Sequence, residues 1–322
     1  MKVLITGAAG FLGQLLARQL LATGQLTGPS GAPQAIDELL LVDIVPAPDF
    51  GDSRVRLVTG DIADPALLSG LIDADTAAVF HLAAIVSSQA EAEFDLGLRI
   101  NLDASRLLLD SCRRVGHRPR VVFTSSVAVY GGTLPALVND GTALNPQSSY
   151  GTQKAIAELL LTDYSRRGFI DGRVLRLPTI SVRPGKPNKA ASSFASGIVR
   201  EPLNGEVSIC PVSADTRLWL MSPQKAIDAL IAGHELPGDA LGQQRAINLP
   251  GVCVSVGEML DALKQIAGAE VAARVAFQPD PEIQRIISSW PCQWDSARAE
   301  ALGIRGDADA GALIQAFQDS TR

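Results

Sequence analysis

The feature that most constrains the fold is a glycine-rich turn near the start of the chain, between a strand and a helix. Residues 2–6 are apolar and partly β-branched, as a buried strand requires, and apolar residues recur at helical spacing from Phe11 to Leu21. The connecting sequence is Thr6-Gly7-Ala8-Ala9-Gly10-Phe11-Leu12-Gly13, with glycines three residues apart. A turn of this kind lets the backbone approach a pyrophosphate and directs the helix N-terminus at it. We therefore predict a dinucleotide-binding unit at the start of the chain.

The residues that follow continue this alternation of strands and helices. Residues 24–33 are predicted to form a loop; apolar strands are predicted at 39–43, 55–59, 77–82 and 120–125, and helices at 65–72 and 98–115. Apolar strands separated by helices are typical of a parallel sheet that is covered on both faces. We predict an α/β fold: a Rossmann-type doubly wound parallel sheet with a smaller mixed α/β substrate lobe. The predicted boundaries are 1–178 and 223–249 for the NAD-binding Rossmann domain, and 179–222 and 250–322 for the substrate-binding lobe.

Composition and charge indicate which partners to expect. The 322 residues are 47% hydrophobic and 19% charged, and 28 basic against 34 acidic side chains give a net charge of −6. This chain lacks the basic excess of nucleic-acid and anionic-membrane binders, and no apolar run reaches transmembrane length. We predict a soluble cytoplasmic protein with a small-molecule partner, no nucleic acid and no membrane. Because the four cysteines lie tens of residues apart without a CxxC pair, we expect reduced thiols and neither a zinc site nor a disulfide framework.

Two acidic residues follow predicted strands near the glycine-rich turn. Asp43 ends the second strand, where a carboxylate accepts hydrogen bonds from a ribose diol and repels a 2′-phosphate. The residues after it, Ile44-Val45-Pro46, offer no cation to neutralise that phosphate, so we expect NAD rather than NADP. Asp61, in Gly60-Asp61-Ile62, either reaches the adenine amino group or caps the next helix, and the sequence leaves both open.

A tyrosine and a lysine four residues apart predict a catalytic pair. In Tyr150-Gly151-Thr152-Gln153-Lys154 the phenol and the ammonium lie on one face of a helix. Lowering a tyrosine pKa from about 10 to roughly 7 requires about 4 kcal/mol of preferential stabilisation of the phenolate. Lys154 and an oxidised nicotinamide are cations that supply it. Ser126, which leaves the strand at 121–125, is positioned to hydrogen-bond a substrate oxygen as its proton passes to Tyr150.

Four segments together resemble the extended short-chain dehydrogenase/reductase family, also called the NAD-dependent epimerase/dehydratase family. They are Thr6 to Gly13, His81-Leu82-Ala83-Ala84, Thr124 to Gly131 and Tyr150 to Lys154, and the likeness continues to residues 295–303. The resemblance implies Tyr150 as the catalytic base, Lys154 as its partner and a ligand of the nicotinamide ribose, and Ser126 as the orienting hydroxyl. The predicted contacts with the cofactor NAD are Gly7, Gly10, Phe11, Leu12, Gly13, Asp43, Asp61, Ile62, Leu82, Ala83, Ala84, Asn101, Ser125, Tyr150, Lys154 and Pro178.

Departures from the family pattern reduce the number of reactions that this chain is expected to catalyse. Sugar-nucleotide dehydratases of the family carry an acidic pair where this chain has Val127 and Ala128, so we set elimination aside. The stretch that epimerases use for a diphosphate sugar is altered at residues 218–223, although Arg217 is kept. The segment 176–188, with Ser192-Ser193-Phe194 after it, resembles members that oxidise a four-carbon sugar acid at its 2-hydroxyl with NAD.

The small carboxylate of such an acid needs a cation. Arg183, Lys186 and Arg217 are candidates, and each is about as easily read as an ordinary surface charge. The predicted substrate contacts are Ser87, Ser126, Tyr150, Arg183, Lys186, Asn188 and Arg217.

Three hypotheses follow in order of preference. The first is an NAD-dependent dehydrogenase of a small hydroxy acid, the second a nucleotide-sugar epimerase of the same family, and the third a non-catalytic NAD-sensing regulatory protein. The three histidines, His81, His117 and His234, lack metal-ligand spacing, and no metal is predicted. Leucine-rich faces at 98–115 and 155–164 suggest, by analogy with relatives, a homodimer.

Overall fold

The computed structural model describes residues 1–185, 190–288 and 290–321. In chain order the strands are β1 (Lys2–Thr6), β2 (Gln25–Thr27), β3 (Pro33–Ala35), β4 (Glu38–Asp43), β5 (Val55–Thr59), β6 (Thr76–His81), β7 (Arg120–Ser126), β8 (Asp171–Leu177), β9 (Thr179–Ile180), β10 (Ser208–Cys210), β11 (Arg217–Met221), β12 (Ala246–Asn248), β13 (Val252–Ser255) and β14 (Val275–Phe277). The helices are α1 (Phe11–Thr23), α2 (Pro65–Leu71), α3 (Ser87–Ala92), α4 (Phe94–Gly97), α5 (Ala104–Val115), α6 (Ser149–Arg166), α7 (Ser193–Leu203), α8 (Pro223–Glu235), α9 (Gly238–Leu241), α10 (Val256–Ala267), α11 (Ala269–Ala272), α12 (Pro281–Ser288), α13 (Ala297–Ala301) and α14 (Ala310–Thr321). A π-helical turn (Leu98–Asp103) precedes α5, and a 3₁₀ turn (Val127–Val129) follows β7.

The chain divides into two compact units, and it passes between them several times. The first unit comprises residues 1–129, 146–176 and 227–247, and the second comprises 130–145, 177–226 and 248–322. The sequence-based boundaries place 130–145 with the first unit instead. This segment packs within the second unit because the Tyr130 ring contacts Trp294 and its hydroxyl donates a hydrogen bond to Asn248 Oδ1.

A seven-stranded sheet forms the first unit, in the order β12-β8-β7-β6-β1-β4-β5. The strands from β5 through β4, β1 and β6 to β7 run parallel, so their carboxyl ends share one edge. The chain goes from β1 outward to β4 and later returns to the other side of β1 as β6. Ligands of open α/β sheets bind at such a reversal of strand order. The predicted doubly wound sheet is confirmed.

Helices cover both faces of this sheet. All five residues of β1 are buried, although successive side chains point to opposite faces. On one face Val79 belongs to a core that includes residues of α2, α5 and α6. On the other, the ring of the next residue, Phe80, packs against His234 of α8 at 5.5 Å between centroids.

Local structure differs from the sequence-based prediction at two places. The predicted loop at 24–33 contains β2, which pairs antiparallel with β3. Strands of three residues carry too little alternation to be recognised from the sequence. The predicted helix at 98–115 begins as the π-helical turn, because apolar periodicity does not distinguish a local widening of a helix from a regular turn.

The second unit is a smaller mixed α/β body. Strand β11 pairs antiparallel with β13 and parallel with β9, while β10 and β14 form a separate parallel pair. Its buried apolar core takes residues from β10, β11 and β13 and from α7, α10, α12 and α14.

The expectation of four reduced thiols is wrong for two of the cysteines. Cys253 in β13 and Cys292 after α12 form a disulfide with their Cα atoms 5.5 Å apart. Their separation of 39 residues hid the pair, since proximity here is created by folding and not by sequence spacing. Cys112 and Cys210 are free and buried.

Candidate active site

The glycine-rich turn at the end of β1 has the backbone form that an anion site needs. Gly7 adopts a φ of +74°, which side-chain-bearing residues rarely tolerate. A Cβ on Gly13 would lie 2.3 Å from the Gly7 carbonyl oxygen, so only glycine lets α1 pack this close to the turn. Gly10, the N-cap of α1, is exposed and provides no side-chain cap. The first N–H groups of α1 are therefore free of side-chain capping and suited to a phosphate.

Asp43 lies beside this turn, as predicted. Its carboxylate accepts hydrogen bonds from the Ala9 N–H at 2.9 Å and from the Val45 N–H at 3.3 Å. The first bond joins the carboxyl end of β4 to the turn after β1. The acidic group is thus fixed at the edge where the sheet reverses strand order.

Asp61 is held by a cation that the sequence analysis missed. It forms an ion pair with Arg99 and accepts a hydrogen bond from the Ala63 N–H at 2.9 Å. Burial opposes ionisation, but these bonds outweigh it and lower the pKa of the Asp61 carboxyl. Of the two roles left open, the cap of α2 is filled by Asp64, which accepts from the Ala66 N–H. The contact of Asp61 with adenine stays a prediction, as does that of the buried Ile62.

The loop after β6 joins the turn from the other side of β1. Leu82 N–H donates to the Thr6 carbonyl at 3.1 Å, and Ala83 N–H reaches the Thr6 hydroxyl at 3.3 Å. Farther along the loop, the Asn101 side chain accepts from the Ile85 N–H at 2.8 Å and donates to the Ile85 carbonyl at 3.1 Å. Asn101 also donates to Gln153 Oε1 at 2.8 Å, which connects this loop to the helix of Tyr150 and Lys154.

His81 hydrogen-bonds to both β1 and α5, and the donor and acceptor of each bond can be assigned. Ser105 Oγ donates to the Asn101 carbonyl, so it accepts from His81 Nε2 at 2.9 Å. His81 Nδ1 then accepts from the Thr6 hydroxyl at 2.7 Å. Burial, together with the nearby charge of Lys154, lowers the pKa of His81 to about 3, so the ring is neutral. His81 is therefore a neutral bridge between β1 and α5.

Tyr150 lies in the first turn of α6, which is fixed against β7. Ser148 caps α6 by accepting from the Gly151 N–H at 3.1 Å. A Cβ on Gly151 would lie 2.1 Å from the Ala128 carbonyl oxygen, so the glycine allows α6 to approach the 3₁₀ turn after β7. This contact sets Tyr150 relative to Ser126, the last residue of β7.

Lys154 is buried one turn later on α6. Its Nζ donates to the Thr124 carbonyl at 2.9 Å and lies 4.6 Å from the centroid of the Phe123 ring and 5.7 Å from that of Tyr150. Burial lowers the pKa of Lys154 to about 7, and the charge of Glu158 opposes this effect. The predicted pair of phenol and ammonium is therefore brought together.

The end of β7 provides the two predicted hydroxyls. Ser126 is half-buried, and its Oγ accepts from the Ala128 N–H at 3.1 Å. Ser125 is buried, and its Oγ has no hydrogen-bond partner within the described part of the chain. Buried hydroxyls are normally paired, so Ser125 Oγ suits a ligand atom. Together with the uncapped start of α1, this hydroxyl makes the first unit fit a dinucleotide.

The predicted substrate contacts are divided between the two units. Ser87 begins α3 in the first unit, while Arg183 and Arg217 belong to the second, as does Pro178, a predicted NAD contact. Lys186 and Asn188 lie outside the described residues. Among the residues that the structure does describe, there is no group of three side chains able to hold a metal ion.

Arg183 and Arg217 extend from opposite ends of the same pair of strands. Leu220 of β11 aligns with Thr179 of β9, so Arg217 lies three residues before this level and Arg183 four residues after it. Arg217 is exposed and forms an ion pair with Glu258 at 3.3 Å. The structure does not bring the two cations to one place.

Arg183 is held firmly at the end of β9. Its backbone N–H donates to Ser196 Oγ at 3.0 Å, and its carbonyl accepts from Arg200 at 2.8 Å. Its guanidinium donates to the Ile180 carbonyl at 2.9 Å and to Ser192 Oγ at 3.3 Å.

One buried pair was missed entirely by the sequence analysis. Arg176 Nε lies 3.0 and 3.1 Å from the two carboxylate oxygens of Glu158, and a terminal nitrogen lies 2.7 Å from one of them. The available signal was the position of Glu158, four residues after Lys154 and so on the same helix face.

Known proteins resemble this chain over nearly its whole length. A family model described as the NAD dependent epimerase/dehydratase family matches residues 3–221. The chain is 60% identical over 319 residues to D-erythronate dehydrogenase of Cupriavidus necator, covering 99% of this chain and 98% of that protein. It is 48% identical over 318 residues to D-erythronate dehydrogenase of Haemophilus influenzae, covering 98% of each.

A solved structure shares the whole fold. The protein described as the nucleoside-diphosphate-sugar epimerase from Agrobacterium tumefaciens superposes with a TM-score of 0.94 at 41% identity, covering 99% of this chain and 94% of that one. The family predicted from the motifs is confirmed: this chain belongs to the NAD dependent epimerase/dehydratase family.

Proposed function

We propose that this protein is an NAD-dependent dehydrogenase that oxidises D-erythronate at its 2-hydroxyl to 2-oxo-tetronate. The observation that carries the proposal is the identity of 60% and 48%, over nearly the full chain, with two D-erythronate dehydrogenases. The geometry supports it, because Lys154 is buried beside Tyr150 on a helix that packs against the strand ending in Ser126. An oxidoreductase of this family needs that arrangement of a proton acceptor, a cation and an orienting hydroxyl.

The first unit supplies the residues that hold NAD. The uncapped N-terminus of α1 and the turn from Gly7 to Gly13 take the pyrophosphate, and Asp43 takes the adenosine ribose diol. Lys154 and the Ser125 hydroxyl would hold the nicotinamide part. When bound, the oxidised nicotinamide accepts the hydride that leaves C2 of the acid.

Proton removal from the 2-hydroxyl is the task of the protein itself. Tyr150 accepts the proton as a phenolate, whose negative charge the Lys154 ammonium stabilises. Ser126 Oγ hydrogen-bonds the reacting oxygen and keeps it directed at Tyr150. Because Lys154 donates a hydrogen bond to the Thr124 carbonyl, its Nζ is in position before the reaction begins.

For the carboxylate of the acid we propose Arg183. A planar guanidinium binds a carboxylate through two parallel hydrogen bonds. The Arg183 backbone is fixed, because its N–H donates to Ser196 and its carbonyl accepts from Arg200. Arg217 is already paired with Glu258 at the other end of β11, which argues against Arg217 and Arg183 binding the carboxylate together.

A spectrophotometric assay tests the function. Purified protein with NAD and D-erythronate should produce absorbance of the reduced nicotinamide, and a panel of other aldonates should be slower. Tyr150→Phe should lower the rate by roughly 10³-fold while NAD still binds, as loss of a general base predicts. Tyr164→Phe, on the same helix but bonded to Asp110 at 2.8 Å, is the matched control and should stay active. No turnover of any aldonate by the wild type would refute the proposal.

An epimerase is the second candidate, because the Agrobacterium structure carries that description. An epimerase would interconvert a nucleotide sugar without net accumulation of reduced nicotinamide. Offering UDP- and dTDP-hexoses in the same assay, with product analysis by chromatography, separates the two. We expect no change in the nucleotide sugars.

We further propose that two copies associate through α5 and α6. Ile156 and Leu159 are three residues apart on α6 and expose 38% and 64% of their surface, which is unusual for apolar residues on a packed helix. Light scattering should give twice 33.8 kDa, and Leu159→Lys should halve that mass. A monomeric wild type would refute the dimer.

We propose the cytoplasm as the compartment, since the reaction draws on a diffusible dinucleotide pool. The structure supports only the narrower statement that, within the described ranges, no helix has the length and apolarity needed to span a bilayer. Cell fractionation with an antibody to this chain tests the location, and recovery outside the cytoplasmic fraction would refute it.

A further inference from the structure

A buried ion pair lies one helical turn beyond Lys154. Glu158 and Arg176 expose 2% and 5% of their surface, and the Arg176 guanidinium contacts both carboxylate oxygens. Removing two charges from water is costly, and such pairs are often no more stabilising than apolar residues of similar size. Stability alone therefore gives little reason for a carboxylate at this depth.

The spacing along α6 places Glu158 on the same helix face as the catalytic lysine. Glu158 follows Lys154 by four residues, so the two side chains lie on the same face of the helix. Arg176, at the end of β8, holds Glu158 through three contacts of 2.7 to 3.1 Å and fixes its direction. The carboxylate cannot rotate to solvent without breaking them.

Lys154 needs such an anion. Its ammonium is buried among the Thr124 carbonyl, the Phe123 ring and the Tyr150 ring, and these contacts provide no full negative charge. The nearby His81 is neutral, and Arg176 is itself a cation. Burial favours the neutral amine and lowers the pKa of Lys154 to about 7, whereas the charge of Glu158 acts in the opposite direction.

We propose that Glu158, fixed by Arg176, is a positioning residue for the reaction: its buried carboxylate favours the charged form of Lys154 and keeps the ammonium hydrogen-bonded to the Thr124 carbonyl beside Tyr150. This inference rests on the proposed roles of Tyr150 and Lys154. Glu158 touches neither substrate nor cofactor and acts only through Lys154. Without it, the pKa of Lys154 falls further below its ordinary value, and at neutral pH the neutral amine no longer stabilises the Tyr150 phenolate.

The decisive test does not require catalysis. The chain has three tyrosines, so phenolate absorbance can be titrated in the protein without added substrate, and subtraction of the Tyr150→Phe titration isolates Tyr150. Glu158→Gln keeps the size and one hydrogen bond to Arg176 but removes the charge. We expect it to raise the midpoint of Tyr150 ionisation by about one pH unit, the scale of a nearby opposite charge.

The pH profile of kcat/KM with NAD and D-erythronate supplies a second readout. In Glu158→Gln its acid limb should move up by the same amount, which is roughly tenfold lower activity on that limb. The double variant Glu158→Gln/Arg176→Gln leaves no unpaired cation. The double variant should be more stable than Glu158→Gln while keeping the shifted pH profile. The reason is that the shift is caused by loss of the Glu158 carboxylate and not by loss of its pairing with Arg176. If Glu158→Gln does not fold, the double variant still tests the role of the Glu158 carboxylate.

Asp140→Asn is the matched control. Asp140 is a largely buried carboxylate of the second unit, paired with Arg298 at 3.1 Å, and its loss should affect stability without moving the Tyr150 titration. The proposal is overturned if Glu158→Gln and the double variant leave that titration unchanged, or if Asp140→Asn shifts it equally. A wild type that does not oxidise D-erythronate would refute the proposed function, yet the titration would still decide the role of Glu158.

Discussion

At the scale of single residues, Asp43 is the side chain expected to decide the choice of dinucleotide. Its carboxylate is fixed beside the turn by the Ala9 N–H and has no neighbouring cation in residues 44–46. Asp43→Ala should lower the ratio of kcat/KM for NAD over NADP by at least about tenfold, because a repulsion against the 2′-phosphate is removed. Asp49→Asn, on an exposed turn, is the control and should leave this ratio unchanged. An unaltered ratio in Asp43→Ala would show that specificity lies elsewhere.

Arg183 and Arg217 are the two described candidates for binding the substrate carboxylate, and their variants should differ in kinetic constants. Arg183→Gln should raise the KM for D-erythronate by about tenfold or more while the KM for NAD stays constant, since a charge-assisted bidentate contact is lost. Arg217→Gln should change either constant by less than about twofold, because exposed pairs contribute little. Initial-rate measurements with each substrate varied check both. If Arg217→Gln raised the KM for D-erythronate more than Arg183→Gln did, the substrate carboxylate would be assigned to Arg217.

The residues proposed for catalysis and for the cofactor turn could be picked out from the sequence because they form short motifs with a fixed spacing. Tyr150 and Lys154 lie on one helical face, and the turn from Gly7 to Gly13 lies in one continuous segment. Partners from distant segments could not be predicted: Arg99 reaches Asp61 across 38 residues. Nothing in local periodicity encodes such a meeting, which depends on the order of strands in the sheet.

At the scale of elements, buried arginines hold the C-terminus of α8. Arg173 is fully buried and donates to the carbonyls of Gly233 and Leu236, besides its ion pair with Asp171 at 2.9 Å. The last carbonyls of a helix have no partner within it, so Arg173, together with Arg120, satisfies the end of α8. We expect Arg173→Leu to lower the free energy of unfolding by about 3 kcal/mol or more, as for other broken buried pairs.

Urea unfolding followed by circular dichroism measures this loss. The control is Arg166→Leu, which removes an exposed pair with Asp163 on α6 and should cost less than about 1 kcal/mol. Equal unfolding midpoints for the two variants would contradict the role given to Arg173.

The boundaries of five strands in the first unit followed closely from the sequence because buried parallel strands are continuously apolar. β1 and β5 were predicted at their observed limits, and β4, β6 and β7 within one residue. The hairpin of β2 and β3 and the Cys253–Cys292 bond were not foreseen. In both cases the determining contact joins short, polar or distant segments that carry no periodic signal.

At the scale of the whole molecule, two neutral buried histidines make stability depend on pH. Burial lowers the pKa of His81 to about 3 and that of His234 to about 4, below the 6.5 of an exposed histidine. Below pH 6.5 the unfolded chain takes up protons that the folded chain cannot, so stability is lost as the pH falls. From pH 6.5 to 4.5, His81 alone should remove about 2 kcal/mol.

Urea unfolding at these two pH values tests that dependence. His81→Asn should unfold more readily at pH 6.5 but lose about 2 kcal/mol less than the wild type on acidification. His117→Gln, at a half-buried position bonded to the Thr76 carbonyl, is the control. The prediction is wrong if the wild type and His81→Asn lose stability in parallel.

The most direct test of the proposed reaction follows a deuterium atom placed at C2 of D-erythronate. After incubation with the protein and NAD, mass spectrometry of both products should find the deuterium on the reduced nicotinamide and a four-carbon 2-oxo acid without it. Tyr150→Phe should give neither product at a comparable rate. Deuterium retained in the oxidised acid, or returned to the sugar acid without reduced nicotinamide, would contradict oxidation at the 2-hydroxyl.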